Sequence, residues 1–313
     1  MDIPLPLPRL WGENIKPAGI STLGEPCEPF GELSFFKMID VFYDKAYALD
    51  EEGATSFVLS GITELSELRA AVLACRQFDK PVIAVLEIDS EADETAGGKE
   101  LGYLVTLQNL GLSAIGFDVT PESDPEEVHR IALEIMRYSK IPLYVRLDKE
   151  NAYPVFLRKF QDYRSVVFDC SALDENRFEA VNKVVSEFVP PETETEDDSF
   201  VAANHLQAFF LNPEHMTFSP AIDIECDMAE ELIDFDDEAY DVIAVEINSH
   251  DDGFHLSQNL HWLELPVMFR AQTEEALRMA LCYYNGRALV DSECFIDDEN
   301  LKEIAGEYGA IIY

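Results

Sequence analysis

Between Gly53 and Asp148, four short runs of apolar, largely β-branched residues, at 56–59, 81–88, 114–119 and 143–147, alternate with segments of helical period. Continuous apolar strands are those buried on both faces, and strands joined through helices pair in parallel because a right-handed crossover returns the chain over the sheet. The pattern predicts an α/β fold of TIM-barrel-like βα repeats. Polar residues gather just past the strand ends, the edge where such sheets keep their chemistry.

The same alternation extends in both directions. Residues 1–31 read as irregular, because Pro4, Pro6, Pro8, Pro17, Pro26 and Pro29 leave little room for regular structure. Helical spacing marks 34–51, and Thr63 is placed to cap a helix whose Leu65, Leu68, Val72 and Cys75 share one face. Ser123 or Asp124 can cap a helix opened by Pro125, and a strand at 165–169 precedes a helix over 174–188. The run PPETETEDDS, two prolines and a string of acids, reads as a linker over 190–199. Beyond it, strands at 208–211, 221–225, 242–247, 266–269, 288–290 and 310–313 accompany helices at 274–284 and 298–308. Three segments result: a βα unit over 1–189, the acidic linker over 190–199 and a second βα unit over 200–313. A barrel would continue past 310–313 into a helix, so the units are expected to form one hybrid barrel or two incomplete half-barrels. The last strand is then covered by the first unit or by another copy in a homo-oligomer.

Lysine and arginine total 22 against 62 aspartates and glutamates, a formal charge of −40. Such a surface repels phosphate backbones and anionic lipid, so nucleic acid and membrane are excluded as partners. No apolar run approaches the ~20 residues that span a bilayer, and the opening MDIPLPLPRLWGENIKP lacks a secretory pattern, so a cytoplasmic location is expected. Cys27, Cys75, Cys170, Cys226, Cys282 and Cys294 are scattered without C-x-x-C spacing and read as reduced thiols.

Four stretches carry a family resemblance: ELSELRAAVLACRQFDKPVIAVL, LSAIGFDVT, SVVFDCSALDENRFEAV and LPVMFRAQTEEALRMALCYYNGRALVDSECFIDDENLKEIAGEYGAIIY. They resemble, in the same order, segments of cobalamin-dependent methionine synthase. The first three are similar to its homocysteine-binding barrel after the fourth strand and at the sixth and eighth strands, and the last to its pterin-binding barrel. That family activates homocysteine on zinc, which stabilises a thiolate at neutral pH, using a cysteine from G-[IL]-N-C and two from G-G-C-C-G. Here the motifs read Gly116-Phe117-Asp118-Val119 and Phe168-Asp169-Cys170-Ser171-Ala172, so Cys170 alone matches a zinc cysteine. On the pterin side, Asp223-Ile224-Glu225-Cys226-Asp227 stands for the first-strand motif, Arg270 for an aspartate that contacts the pterin, and Asp291 for an asparagine one strand later. A cationic Arg270 cannot accept hydrogen bonds from pterin N–H groups.

Asp118, Asp169 and Cys170 are therefore the candidate catalytic residues, expected at one C-terminal rim with Glu87, Asp89 and Asp148 at neighbouring strand ends. Such an acidic mouth with one thiol can hold a hard cation or a basic ligand; alternatively its carboxylates cap helices or pair with Arg146. Glu225, Arg270 and Asp291 are the cofactor-binding candidates. With one zinc cysteine of three kept, no metal is expected, Cys170 being the remaining candidate ligand; zinc, cobalamin or folate enter only if the family activity is retained. His250, His255 and His261, in SHDDGFHLSQNLHW, read as a loop. The resemblance and its missing residues together point to a diverged ligand- or partner-binding protein in methyl-transfer metabolism, with a separately encoded corrinoid protein as a partner. The alternative is an active methyltransferase completed by another subunit.

Overall fold

The computed structural model describes residues 9–12, 15–25, 28, 31–88, 98–119, 124–191, 194–224, 228 and 239–313. Seven parallel strands make the first sheet: β1 (Leu10–Trp11), β2 (Pro17–Ser21), β3 (Ser56–Ser60), β4 (Val82–Ile88), β5 (Ala114–Val119), β6 (Leu143–Arg146) and β7 (Val166–Asp169). Their order in space is β1-β7-β6-β5-β4-β3-β2. From β2 to β7 each crossover advances one strand in the same sense, so helices α1 (Phe35–Glu51), α2 (Leu65–Cys75), α3 (Gly98–Asn109), α4 (Pro125–Ile135) and α5 (Pro154–Arg158) all fall on one face. Helix α6 (Glu175–Val185) follows β7.

The short link between its two edge strands makes this sheet curl. Trp11 ends β1 on one edge and Pro17 begins β2 on the other. The six steps between them span at most about 22 Å. Six gaps of about 4.8 Å would place the edges of a flat sheet roughly 29 Å apart. The edges must therefore bend toward each other, as in a barrel, although β1 and β2 do not pair. Side chains sort accordingly. Trp11, Val58, Ile83, Val85, Ala114, Tyr144 and Val167 form one inner cluster. The alternate residues, among them Phe57, Leu59, Ala84, Leu86, Ile115, Leu143 and Phe168, join the helices in the main core.

The second unit repeats the winding in a shorter form. Strands β8 (Val201–Ala203) and β9 (Ala208–Phe210) make an antiparallel hairpin; β10 (Ile222–Asp223), β11 (Ile243–Ile247), β12 (Val267–Ala271), β13 (Leu289–Val290) and β14 (Ile311–Ile312) form a parallel sheet in sequence order. Helices α7 (His250–Asn259), α8 (Glu274–Tyr283) and α9 (Asp298–Tyr308) cover its outer face around Val245, Val267, Phe269 and Leu277. Its inner face, lined by Ala244, Met268, Leu289 and Ile311, is filled by Phe200, Phe209, Leu211, Met216 and Phe218. The fold is thus α/β with TIM-barrel-like βα repeats, arranged as two incomplete barrel units, not one hybrid barrel.

Arginines stitch the units together. Arg69 of α2, 1% exposed, donates to the carbonyls of Leu281 (2.8 Å) and Cys282 (3.0 Å) at the end of α8. Arg76 bridges the carbonyls of Leu110 and Glu307, and Arg287 donates to those of Asp198, Val201 and Gly309. The acidic stretch 190–199 carries no helix or strand among its described residues, yet near its end Asp198 is buried. It accepts from Gln108 and Asn109 and pairs with Lys140 of the first unit.

Three local readings need correction. The proline-rich start contributes β1 and β2, since Pro17 opens a strand whose carbonyls and remaining N–H groups pair with β3. Thr63 caps nothing: Glu64 stands at the N-cap of α2, without a side-chain bond. The histidine-bearing segment is helix α7, capped by reciprocal bonds between Ser249 and Asp252. Its Asp-Asp-Gly is helical because Gly253 lets α8 approach so closely that a Cβ there would lie 2.8 Å from the Met279 carbonyl carbon.

Candidate functional site

Parallel pairing puts residues of equal register on the same face. Glu87 of β4 aligns with Asp118 of β5, and Arg146 of β6 aligns with Asp169 of β7. Counting on from the Ile115 and Leu143 pair sets Asp118 level with Arg146. All four lie on the inner face at the C-terminal strand ends, so the expected rim holds Asp118 and Asp169 together. Cys170 does not join them. One residue on, it faces the opposite side, buried in the outer core with Phe168, Val181 and Val185. Burial, reinforced by the Asp169 charge, pushes its thiol up to about 12. The side chain of Val119 and all of Asp89 lie outside the described residues, and Asp148 is occupied in a turn, accepting from the N–H groups of Glu150 and Asn151.

Asp169 is 1% exposed and fully engaged. The Tyr144 hydroxyl donates to its Oδ2 at 2.6 Å, and the Ser171 N–H donates to its Oδ1 at 2.9 Å. Burial and this carboxylate both raise the Tyr144 phenol above its ordinary range. The Arg146 guanidinium, by contrast, is exposed and makes no hydrogen bond or ion pair among the described residues. Asp118, at the same level, has its carboxyl raised by desolvation while Arg146 pulls it down.

Below this rim lies a cavity of about 420 Å³. Its lining is drawn from both faces of the sheet. Val58, Ser60, Val85, Asp118, Tyr144 and Arg146 line it from the inner face, while His129, Ala132, Phe156, Phe160 and Tyr163 line it from the helix layer. Beside it β5 and β6 hold a single paired position, Ile115 with Leu143, whereas β4 and β5 pair from Ile83 through Ile88. At its outer end the Tyr163 hydroxyl lies 3.1 Å from His129 Nδ1, and burial lowers the His129 pKa. Lys159 at the wall is held by Glu126 at 2.6 Å. Sequence reasoning missed this outer wall. Its one visible trace was the aromatic spacing of Tyr153, Phe156, Phe160 and Tyr163.

The second unit presents the same order of charges at the same strand ends. Asp223 aligns with Glu246 and Glu246 with Arg270, and Asp291 follows β13 beside Arg270. Arg270 Nε binds Asp291 Oδ2 at 2.7 Å, and the Glu293 N–H donates to Asp291 Oδ1, as Ser171 does to Asp169. At the level of Tyr144 stands Met268, which has no hydroxyl to offer, so the arginine takes the carboxylate instead. Arg270 and Asp291 are thus brought together but satisfy each other; Glu225 lies outside the described residues.

The positions matched to zinc cysteines do not fit zinc, because the Cys170 thiol faces away from the rim. Among the described residues no three His, Cys, Asp or Glu side chains converge to hold a metal ion, and no helix is long and apolar enough to cross a membrane.

No family model matches the chain, and no curated protein matches it. Among solved structures, (S)-3-O-geranylgeranylglyceryl phosphate synthase from Thermoplasma acidophilum, in complex with sn-glycerol-1-phosphate, is similar at 12% identity and a TM-score of 0.22. The match covers 56% of this chain and 93% of that one. A likeness this slight bears on no residue of the site.

Proposed function

We propose that this protein binds a small molecule in the cavity between β5 and β6, as a diverged methionine-synthase-like member of methyl-transfer metabolism that works without a zinc-thiolate homocysteine site. The observation that carries the reading is the cavity's position. It borders the C-terminal ends of parallel strands, where βα folds hold ligands, and its lining combines apolar walls with converging polar groups, among them Asp118, Tyr144 and Arg146. The direction of the Cys170 side chain supports the second half of the reading, since a thiol sunk in the helix-side core cannot reach a substrate at the rim.

The test is elemental analysis and thermal unfolding of the purified full chain. No stoichiometric zinc is expected, nor methylation of homocysteine from methylcobalamin or methyl-folate. A panel of small metabolites should contain at least one that raises Tm; at a hundredfold excess over Kd a ligand adds about 2.7 kcal/mol. One tightly bound zinc per chain, or turnover of homocysteine, would overturn the proposal. So would a panel in which every compound leaves Tm unchanged.

A further inference from the structure

We infer that the cavity takes an amphipathic anion, its carboxylate or phosphate head on Arg146 and its apolar body against Phe156, Phe160 and Tyr163. The inference rests on the reading of this cavity as a ligand site and names the class of ligand. Three observations point to it.

The first is charge. The chain carries 62 acids and 22 lysines and arginines, yet among the described residues the cavity's lining sets Arg146 against one acid, Asp118, with Lys159 paired to Glu126 and the His129 ring held toward its neutral form. In so acidic a chain, a lining with as many net cations as acids is a local exception to the overall field. Desolvation also favours the neutral form of that single acid.

The second is availability. Lys159 is taken by Glu126, but the Arg146 guanidinium makes no hydrogen bond or contact ion pair among the described residues and feels Asp118 only at longer range. The second unit supplies the contrast. There Arg270 is consumed by Asp291, while in the first unit Tyr144 occupies the carboxylate that would otherwise consume Arg146. An unspent, planar guanidinium with its donors in a fork matches a carboxylate or phosphate.

The third is shape. The cavity that Arg146 borders is also lined by a wall of aromatic rings, with Phe156 and Phe160 centred 5.2 Å apart and Phe160 and Tyr163 5.9 Å apart. A wholly polar anion would leave that wall without contact. A neutral apolar molecule would leave Arg146 without one.

Isothermal titration of the full chain with octanoate, octyl phosphate, octanol and octylammonium tests the inference, the first two separating a carboxylate from a phosphate head. At least one anion is expected to bind tenfold or more tightly than octanol, about what a hydrogen-bonded charge contributes, and octylammonium least of all. Arg146→Gln should bring the anion down to the affinity of octanol while leaving octanol unchanged, and Arg146→Lys should fall between. Because the Arg146 side chain is exposed and makes no hydrogen bond or ion pair among the described residues, both variants should fold, which circular dichroism checks. Octanol or octylammonium binding as tightly as the anions, or Arg146→Gln without effect on them, would overturn the inference while leaving a small-molecule site in place. If none of the four binds, the inference also falls, and the broader reading then depends on the metabolite panel alone.

Discussion

Tyr144 donates a 2.6 Å hydrogen bond to Asp169 across neighbouring strands, and this bond keeps Asp169 away from Arg146, its partner in register. Tyr144→Phe should therefore do two things at once. It deprives a buried carboxylate of one donor, for a loss of about 1.5–3 kcal/mol in urea unfolding. It also frees Oδ2 of Asp169 to capture Arg146, reproducing the Arg270 and Asp291 pair of the second unit. Anion binding should then weaken toward the Arg146→Gln level, and the double variant should be no weaker than Arg146→Gln alone. Stability lost with anion affinity unchanged would show that Tyr144 does not govern the arginine.

His129 provides a pH dependence of definite sign. Burial is the main cause that lowers its pKa, with the Lys159 charge adding to it. Its Nδ1 faces the Tyr163 hydroxyl, which can donate to it only while the ring is neutral there. A group that binds its proton less readily when folded lets the unfolded chain gain stability on acidification. Folding stability should thus be fully present above the unfolded value of about 6.5 and decline as pH falls from there toward the folded pKa. Asp118 works the other way, its raised pKa withdrawing stability as pH rises above the ordinary carboxylate range. In an NMR titration His129 should reach its midpoint below 6.5, and His129→Gln should flatten the stability profile between that midpoint and neutrality. A midpoint at or above 6.5 would contradict the assignment.

Arg69 is expected to decide whether the two units unfold together. Burial lowers its pKa to about 10, so it remains charged at neutral pH while it satisfies two carbonyls at the C-terminal end of α8. Arg69→Ala leaves those carbonyls buried without donors and opens space beside Phe35, whose ring lies 5.5 Å from the guanidinium. A loss of about 3–5 kcal/mol should follow, with one urea transition separating into two. Arg69→Met, which refills the volume but not the bonds, should lose less. A single unshifted transition in Arg69→Ala would show that the other contacts suffice.

What could be read before folding, and what could not, divides along physical lines. Strand β5 and helix α9 begin and end where apolar period, Asp297 at the N-cap and Gly309 at the C-cap say they should, because those signals are local. Asp118 and Asp169 fall on one face near the strand ends for a similar reason, each being the polar residue near the end of an apolar strand. Cys170 was misplaced because sequence neighbours in a strand point to opposite faces. Strands β1 and β2 were invisible because their evidence is not local: a two-residue segment becomes a strand when Phe168 and Asp169 pair with it. The cavity's wall draws on β3, β4, β5, β6, α4 and α5 together, and nothing within any one of them announces that.

Gly286 is where the second unit has least room to change. A Cβ built there would lie 2.0 Å from the carbonyl oxygen of Ala203, which the neighbouring Arg287 N–H binds at 2.9 Å. The hairpin of β8 and β9 must therefore move, and the bonds from Arg287 to the Asp198 and Val201 carbonyls move with it. Gly286→Ala should cost about 1–3 kcal/mol as an overpacked contact, and more if those bonds break. Gly19→Ala in β2, with nothing within 4 Å of the added carbon, should stay within about 0.5 kcal/mol of the parent. Urea midpoints of the two variants make the comparison. Equal midpoints would mean that the hairpin yields without cost, and that the junction between the units is softer than its buried arginines imply.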